Sequence, residues 1–268
     1  MENVITFEHI SFAARLKSML KVDFRRMFTQ PLVYIMLGVS LLIPVLILVM
    51  TTMMGGSSVD PLTGEETVVE TFTNVWQAIS SAGGESSGMS MDLTSMCNIN
   101  LIYFFSAVLV CIFVADDFRS GYAKNLFTVR AKRTEYVISK SLVGFVGGAG
   151  MLICYFIGAM IGGAIADLSF EMDGFTAANL VACLLSKVFL MAVFAAIFLL
   201  LAVVGKQRLW LSIVGSLAVD SLLFMMIPMM TPLNAGILNV ILCLAVGAIL
   251  GAGLGAVSNI ILKKTSLV

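Results

Sequence analysis

The chain has 268 residues, 59% of them hydrophobic and 12% charged, with no net charge and a mean hydropathy of +1.03. Soluble domains run at about 45–50% apolar and about 25% charged, so this composition belongs to a protein that lives in a bilayer. Basic residues that follow a membrane rule give no footprint for nucleic acid. A single histidine (His9) and five cysteines without C-x-x-C spacing offer no metal or disulfide framework.

In chain order, residues 7–30 come first. Phe12, Leu16, Met19, Leu20, Phe24 and Met27 recur at helical spacing with basic residues between them. That predicts an amphipathic helix lying in the inner interface and ending at Pro31. It serves either as a plain anchor or as an elbow helix packed sideways on the bundle. No cleavable signal peptide is visible in this stretch. A membrane span needs about 20 mostly apolar residues. Six runs qualify, at 32–54, 98–115, 142–166, 177–204, 209–230 and 237–262. The expected fold is an all-α membrane protein, with residues 1–268 forming a single transmembrane domain.

Between the first two spans, 55–97 is a long outer loop with turn formers at both ends. Its centre places Val68, Val69, Phe72, Val75, Trp76 and Ile79 at the spacing of a short amphipathic helix, which either caps a pathway or rests on lipid headgroups with Trp76 as interfacial anchor. Span three carries Gly144, Gly148, Gly158 and Gly162, and span six Gly247, Gly251 and Gly255. Small residues every fourth position read as seams where helices approach closely. Met53, Met54, Met225, Met226, Met229 and Met230 gather at outer span ends, where ordinary lipid-facing or core packing accounts for them. Cys111, Cys154, Cys183 and Cys243 lie in apolar runs and read as small buried hydrophobes; Cys97 stands in the outer loop.

Charge fixes the orientation. Arg15, Lys17, Lys21, Arg25 and Arg26 precede span one, and Arg119, Lys124, Arg130, Lys132, Arg133 and Lys140 fall between spans two and three. Lys206 and Arg208 fall in the turn after span four, and Lys263 and Lys264 in the tail, so 15 of the 16 basic residues alternate onto one side. The positive-inside rule makes that side cytoplasmic, together with both termini. The two larger outer loops hold acids alone: Asp60, Glu65, Glu66, Glu70, Glu85 and Asp92, then Asp167, Glu171 and Asp173.

Two charges fall inside spans: Lys187 in the fourth and Asp220 in the fifth. Each costs roughly 2.5–3.5 kcal/mol near the bilayer centre and so calls for a partner or water. Reflection through the turn at 205–208 sets Lys187 opposite Met226, six residues from Asp220, a mismatch of about 9 Å. Helical side chains lean toward their own N-terminus, which widens the gap and disfavours a direct pair. The alternatives are that Lys187 snorkels outward and that Asp220 faces a wet cavity.

No phosphate-binding G-x-x-x-x-G-K-[ST], H-E-x-x-H or G-x-S-x-G occurs, so neither catalysis nor a bound cofactor is expected. What stands out is DDFRSGYAKNLFTVRAKRTEYVISK, residues 116–140, with nine charges in an otherwise apolar chain. Phe118, Tyr122, Leu126 and Val129 share one face at helical spacing, with Arg119, Lys124 and Asn125 elsewhere, and Thr134 is placed to cap the helix of span three.

This stretch resembles the permease subunits of type-2 ABC exporters. That family often carries an acid-rich end of span two, a run like G-T-I-K-N-x-L, a short break, and R-x-x-Y-x-x-S-K entering span three. Here stand Gly121, Lys124–Asn125–Leu126, then Arg133, Tyr136, Ser139 and Lys140, with Tyr122–Ala123 in place of Thr-Ile and Arg130 where a proline often follows. The resemblance implies six spans, an N-terminal elbow helix, a cytoplasmic coupling helix between spans two and three, and a bacterial cell-membrane location. It implies a separate ABC ATPase subunit docking on Asp117, Arg119, Gly121, Tyr122, Lys124, Asn125 and Leu126, with Tyr122 and Leu126 filling its groove. Gly121 would let backbones approach, and Lys206 and Arg208 would add a minor contact. It further implies a homo- or heterodimer exporting an amphipathic or hydrophobic cargo, such as an antimicrobial peptide or drug. Two other classes stay open: an ion-coupled secondary transporter using Asp220 and Lys187, and a non-transporting sensor or scaffold.

Overall fold

The computed structural model describes residues 11–54, 57–59, 66–68, 72–80, 97–129, 133–172, 174–206, 208–224 and 226–264. His9, Arg130, Lys132, Met225, Asp173 and most of the 55–97 loop lie outside the described residues.

α1 (Phe12–Thr29) starts where the Ser11 hydroxyl accepts the Ala14 N–H and stops at Gln30, ahead of Pro31. Met19 and Met27 of the predicted apolar face are buried, and so is Asp23 between them. α2 (Pro31–Met54) opens on a proline, which suits the first helical position, and carries Pro44 inside. The predicted outer amphipathic helix is replaced by two other structures. Strands β1 (Ser57–Val59) and β2 (Glu66–Val68) pair antiparallel, with Ser58 opposite Thr67, and a single 3-10 turn covers Val75–Ala78.

α3 (Leu101–Arg119) outlasts its predicted span by four residues. α4 (Tyr122–Val129) follows after a break at Ser120–Gly121. The predicted face beginning at Phe118 is thus divided between two helices. Gly121 has φ +73°, a conformation open to glycine, and a Cβ there would meet nothing within 4 Å. Within the chain its part is the backbone reversal between the two helices.

α5 (Thr134–Ile165) begins eight residues before the predicted span. Thr134 is its first helical residue and makes no cap; its hydroxyl instead accepts Asn259 Nδ2 at 3.2 Å. α6 (Ala177–Gly205) is capped by Thr176, whose side chain accepts the Asn179 N–H. The expected fifth span is described as α7 (Leu209–Phe224) and α8 (Met226–Met230), with residue 225 between them outside the described residues. α9 (Ile237–Lys264) closes the chain.

Five helices, α2, α3, α5, α6 and α9, are long and apolar enough to cross a membrane, and α7 is a shorter apolar helix. α6 is central and packs on α3, α5, α7 and α9; α5 packs on α1, α2, α3 and α6. α9 shows most of its length outward, as do Met53 and Met229 at helix ends.

The glycines of α5 are seams on two sides. A Cβ on Gly144 would sit 2.9 Å from Val110, and one on Gly148 would sit 2.6 Å from the Met191 sulfur. On the other side Gly158 lies against the Leu41 carbonyl and the Pro44 ring, and Gly162 against the Val45 backbone. On α9 only Gly247 is a seam, 2.9 Å from the Phe189 carbonyl, while Gly251 has nothing within 4 Å.

Candidate functional site at the basic end

Four charged side chains from three helices converge where α1, the end of α3 and the start of α5 meet. Lys140 Nζ lies 2.9 Å from Asp23 Oδ1 and 2.7 Å from Asp117 Oδ2, and Arg26 Nη1 lies 2.7 Å from Asp117 Oδ1. Asp23, Asp117 and Lys140 are wholly buried. Two hydroxyls join them: Ser139 donates to Asp23 Oδ2 at 2.5 Å and Tyr136 to Asp117 Oδ2 at 3.0 Å. Two cations against two carboxylates make the cluster formally neutral, the condition under which charges can stay buried.

The cluster also fixes α4. The Arg26 guanidinium lies 4.3 Å over the Tyr122 ring, and the Lys140 ammonium 4.0 Å over that of Phe113. Burial, reinforced by the Asp23 and Asp117 carboxylates, raises the Tyr122 phenol above its ordinary pKa of 10.0. For Arg26, burial alone would lower the pKa, but Asp117, Tyr122 and Asp23 together outweigh it and the net shift is upward. A second ion pair ties α1 to α5 nearer the chain start: Arg15 Nε to Glu135 Oε1, 2.7 Å.

The candidate docking residues therefore divide. Arg119, Lys124 and Asn125 are exposed, and Gly121 is half-buried at the turn. Asp117 faces inward, because its carboxylate is taken by Lys140, Arg26 and Tyr136. Tyr122 and Leu126 are half-buried, with Tyr122 under Arg26 and Leu126 packed on the core, so part of the apolar face of α4 rests on the bundle. The side chain of Val129 lies outside the described residues. Sequence reasoning missed Asp23, although the signal was present: an acid spaced i+4 between Met19 and Met27 on an apolar helix face is out of place unless paired.

The intramembrane charges stand apart. Lys187 is wholly buried and reaches Asn100 Oδ1 at 2.8 Å and Thr231 Oγ1 at 2.9 Å. It does not snorkel to lipid; it leans toward the N-terminus of α6, as helix geometry requires, and ends among polar groups of the chain. Asp220 is also wholly buried, and neither carboxylate oxygen has a hydrogen-bond partner among the described residues. Its helix lies antiparallel to α3, with Ser216 3.2 Å from Cys111 and Phe224 5.6 Å, ring to ring, from Phe104. Lys187 and Asp220 form no ion pair.

The acid-rich end is covered from inside the chain. Phe72, Val75, Trp76 and Ile79 are buried, and Gly163 makes room for Val75. Trp76 Nε1 donates to the Phe170 carbonyl at 3.2 Å and Ser80 to the Thr231 carbonyl at 3.1 Å. Trp76 is therefore a packed element of this cover and not an interfacial anchor.

The family model described as ABC-2 family transporter protein matches residues 19–219, three quarters of the chain. The chain belongs to the ABC-2 transporter family. The matched stretch opens inside α1 and contains all four charges of the cluster; it ends one residue before Asp220. This ABC-2 protein is thus a permease, the membrane component of an ABC transporter. No curated protein and no solved structure matches it.

Proposed function

We propose that this permease is the six-span subunit of an ATP-driven exporter, with α7 and α8 together forming the fifth span and both termini in the cytoplasm of a bacterial cell. A separate ATPase subunit docks on α4, and two permeases, identical or related, enclose the path of an amphipathic or hydrophobic cargo. The observation carrying this reading is the attachment of α4. It is a short helix between two spans, at the end where the basic residues collect, with its inner face bound to α1 and α5 through Arg26, Asp117 and Lys140. Such a helix transmits a push instead of absorbing it, because its apolar face and its first turn are anchored on a buried charge cluster.

The exposed edge formed by Arg119, Lys124 and Asn125 is the contact surface in this proposal, with Gly121 setting the angle of α4. Asp117, Tyr122 and Leu126 act from behind that edge by holding it in place. Tagged permease purified from its own membranes should bring down an ATPase carrying a phosphate-binding loop motif. The double variant Arg119→Glu, Lys124→Glu should lose that partner about tenfold or more while inserting and eluting as the parent does, since like-charge or unpaired contacts at an interface are costly. Retention of the ATPase by that variant would place the dock elsewhere, and recovery of an active, ion-driven permease without any ATPase would reject the exporter reading.

A further inference from the structure

Between α5 and α9 runs a groove of about 680 Å³ that nothing in the reading above uses. Ile138, Leu142 and Phe145 line one wall, and the small residues Gly251, Ala252 and Gly255 of α9 leave the other side open. The volume is in the range of ligand pockets, about 300–1,000 Å³. Its length is the informative dimension. From Thr134 to Phe145 is about 17 Å along α5 at 1.5 Å per residue, and from Gly247 to Asn259 about 18 Å along α9. Half of a hydrocarbon core of about 30 Å is one leaflet. The groove is one leaflet deep and starts at the basic end.

Its mouth is polar, and basic residues adjoin it along α5 and α9. Asn259 donates to Thr134 through Nδ2 at the end of the groove. Arg133, the residue before Thr134, stacks its guanidinium 5.3 Å over the Phe127 ring and has Nη1 buried without a hydrogen-bond partner. Among the described residues no carboxylate lies within ion-pair distance of Arg133. Lys263 follows Asn259 by one turn on the same face of α9, and Lys264 is next to it; both are exposed.

We propose that this groove holds one acyl chain of an anionic phospholipid, with the lipid phosphate held at Arg133 and Lys263. A second copy of the chain is the poorer occupant: a two-fold contact places the same patch of each copy together, so Arg133, Lys263 and Lys264 would face their own duplicates. The inference needs only that the chain spans a membrane, and holds whether or not an ATPase docks on α4.

The full chain is reconstituted in vesicles of equal phosphatidylglycerol and phosphatidylcholine, each in turn carrying a photoactivatable group on its acyl chain, and the labelled residues are mapped. Phosphatidylglycerol should label Leu142 and the 247–256 segment about tenfold more than phosphatidylcholine. Gly251→Phe fills the groove without touching a charge and should abolish that labelling. Arg133→Gln with Lys263→Gln leaves the groove open and should keep labelling while removing the preference for the anionic lipid. Equal labelling by both lipids in the parent chain would reduce the groove to ordinary boundary contact and overturn the proposal. So would cross-links between copies at Gly251 in place of lipid adducts. If Gly251→Phe fails to fold, the double glutamine variant decides alone: an unchanged preference for phosphatidylglycerol rejects the site.

Discussion

Two buried aspartates in this protein have opposite surroundings, and their substitutions should differ in sign. Asp117 is held by Lys140, Arg26 and Tyr136. Asp117→Asn removes one of two carboxylates facing two cations, and breaking a buried pair from one side costs about 3–5 kcal/mol. Asp220 has no partner for either oxygen. Asp220→Leu removes an unsatisfied buried polar group, whose penalty is about 1–3 kcal/mol, and should leave stability unchanged or raise it. Thermal unfolding of both variants in one detergent checks the pair; a destabilising Asp220→Leu would reveal a partner for that carboxyl. The sequence marked Asp220 and Lys187 as costly and separated, since position along a helix and side-chain lean are legible in one dimension. It did not reveal Asp23, because its partners Ser139 and Lys140 lie more than a hundred residues away and only the fold brings them near.

Among the elements, the long apolar helices were legible in outline, since hydropathy over about 20 residues is a strong signal. Their ends were not. α3 and α5 run past the apolar limits because charged residues at those ends, Asp117 and Lys140 among them, are buried against each other and need not wait for water. The seam between α5 and α2 gives the sharpest test of packing at this scale. A Cβ on Gly158 would run into the Leu41 carbonyl and the Pro44 ring, both fixed parts of α2, whereas one on the exposed Gly253 of α9 meets nothing within 4 Å. Gly158→Val should therefore abolish recovery of monodisperse protein. Gly253→Ala should be tolerated, or should stabilise by roughly 0.5–1 kcal/mol through lower chain entropy. Size-exclusion profiles of the two variants, expressed side by side, check this; normal folding of Gly158→Val would mean that α2 does not lie against α5 as described.

For the molecule as a whole, the two ends are closed by different chemistry: paired charges at the basic end, and an apolar cover with backbone hydrogen bonds at the acid-rich end. The sequence proposed either a cap or a headgroup-resting helix for the outer segment, and local periodicity favoured neither, since the burial of Trp76 comes from Phe170 and Phe175 far along the chain. Any cargo path through the bundle has to pass this cover, so its state can be followed directly. The chain has two tryptophans, Trp76 at 4% exposure and Trp210 at 66%. In a Trp210→Phe variant the emission should come from Trp76 alone, lie toward the blue, and resist quenching by iodide. In a Trp76→Phe variant the remaining Trp210, one residue into α7 after the basic turn, should respond to brominated lipid, as expected of an aromatic residue at a membrane interface. Free quenching of Trp76 by iodide in the resting protein would mean that the acid-rich end stands open to water, and that Val75 and Trp76 do not close it.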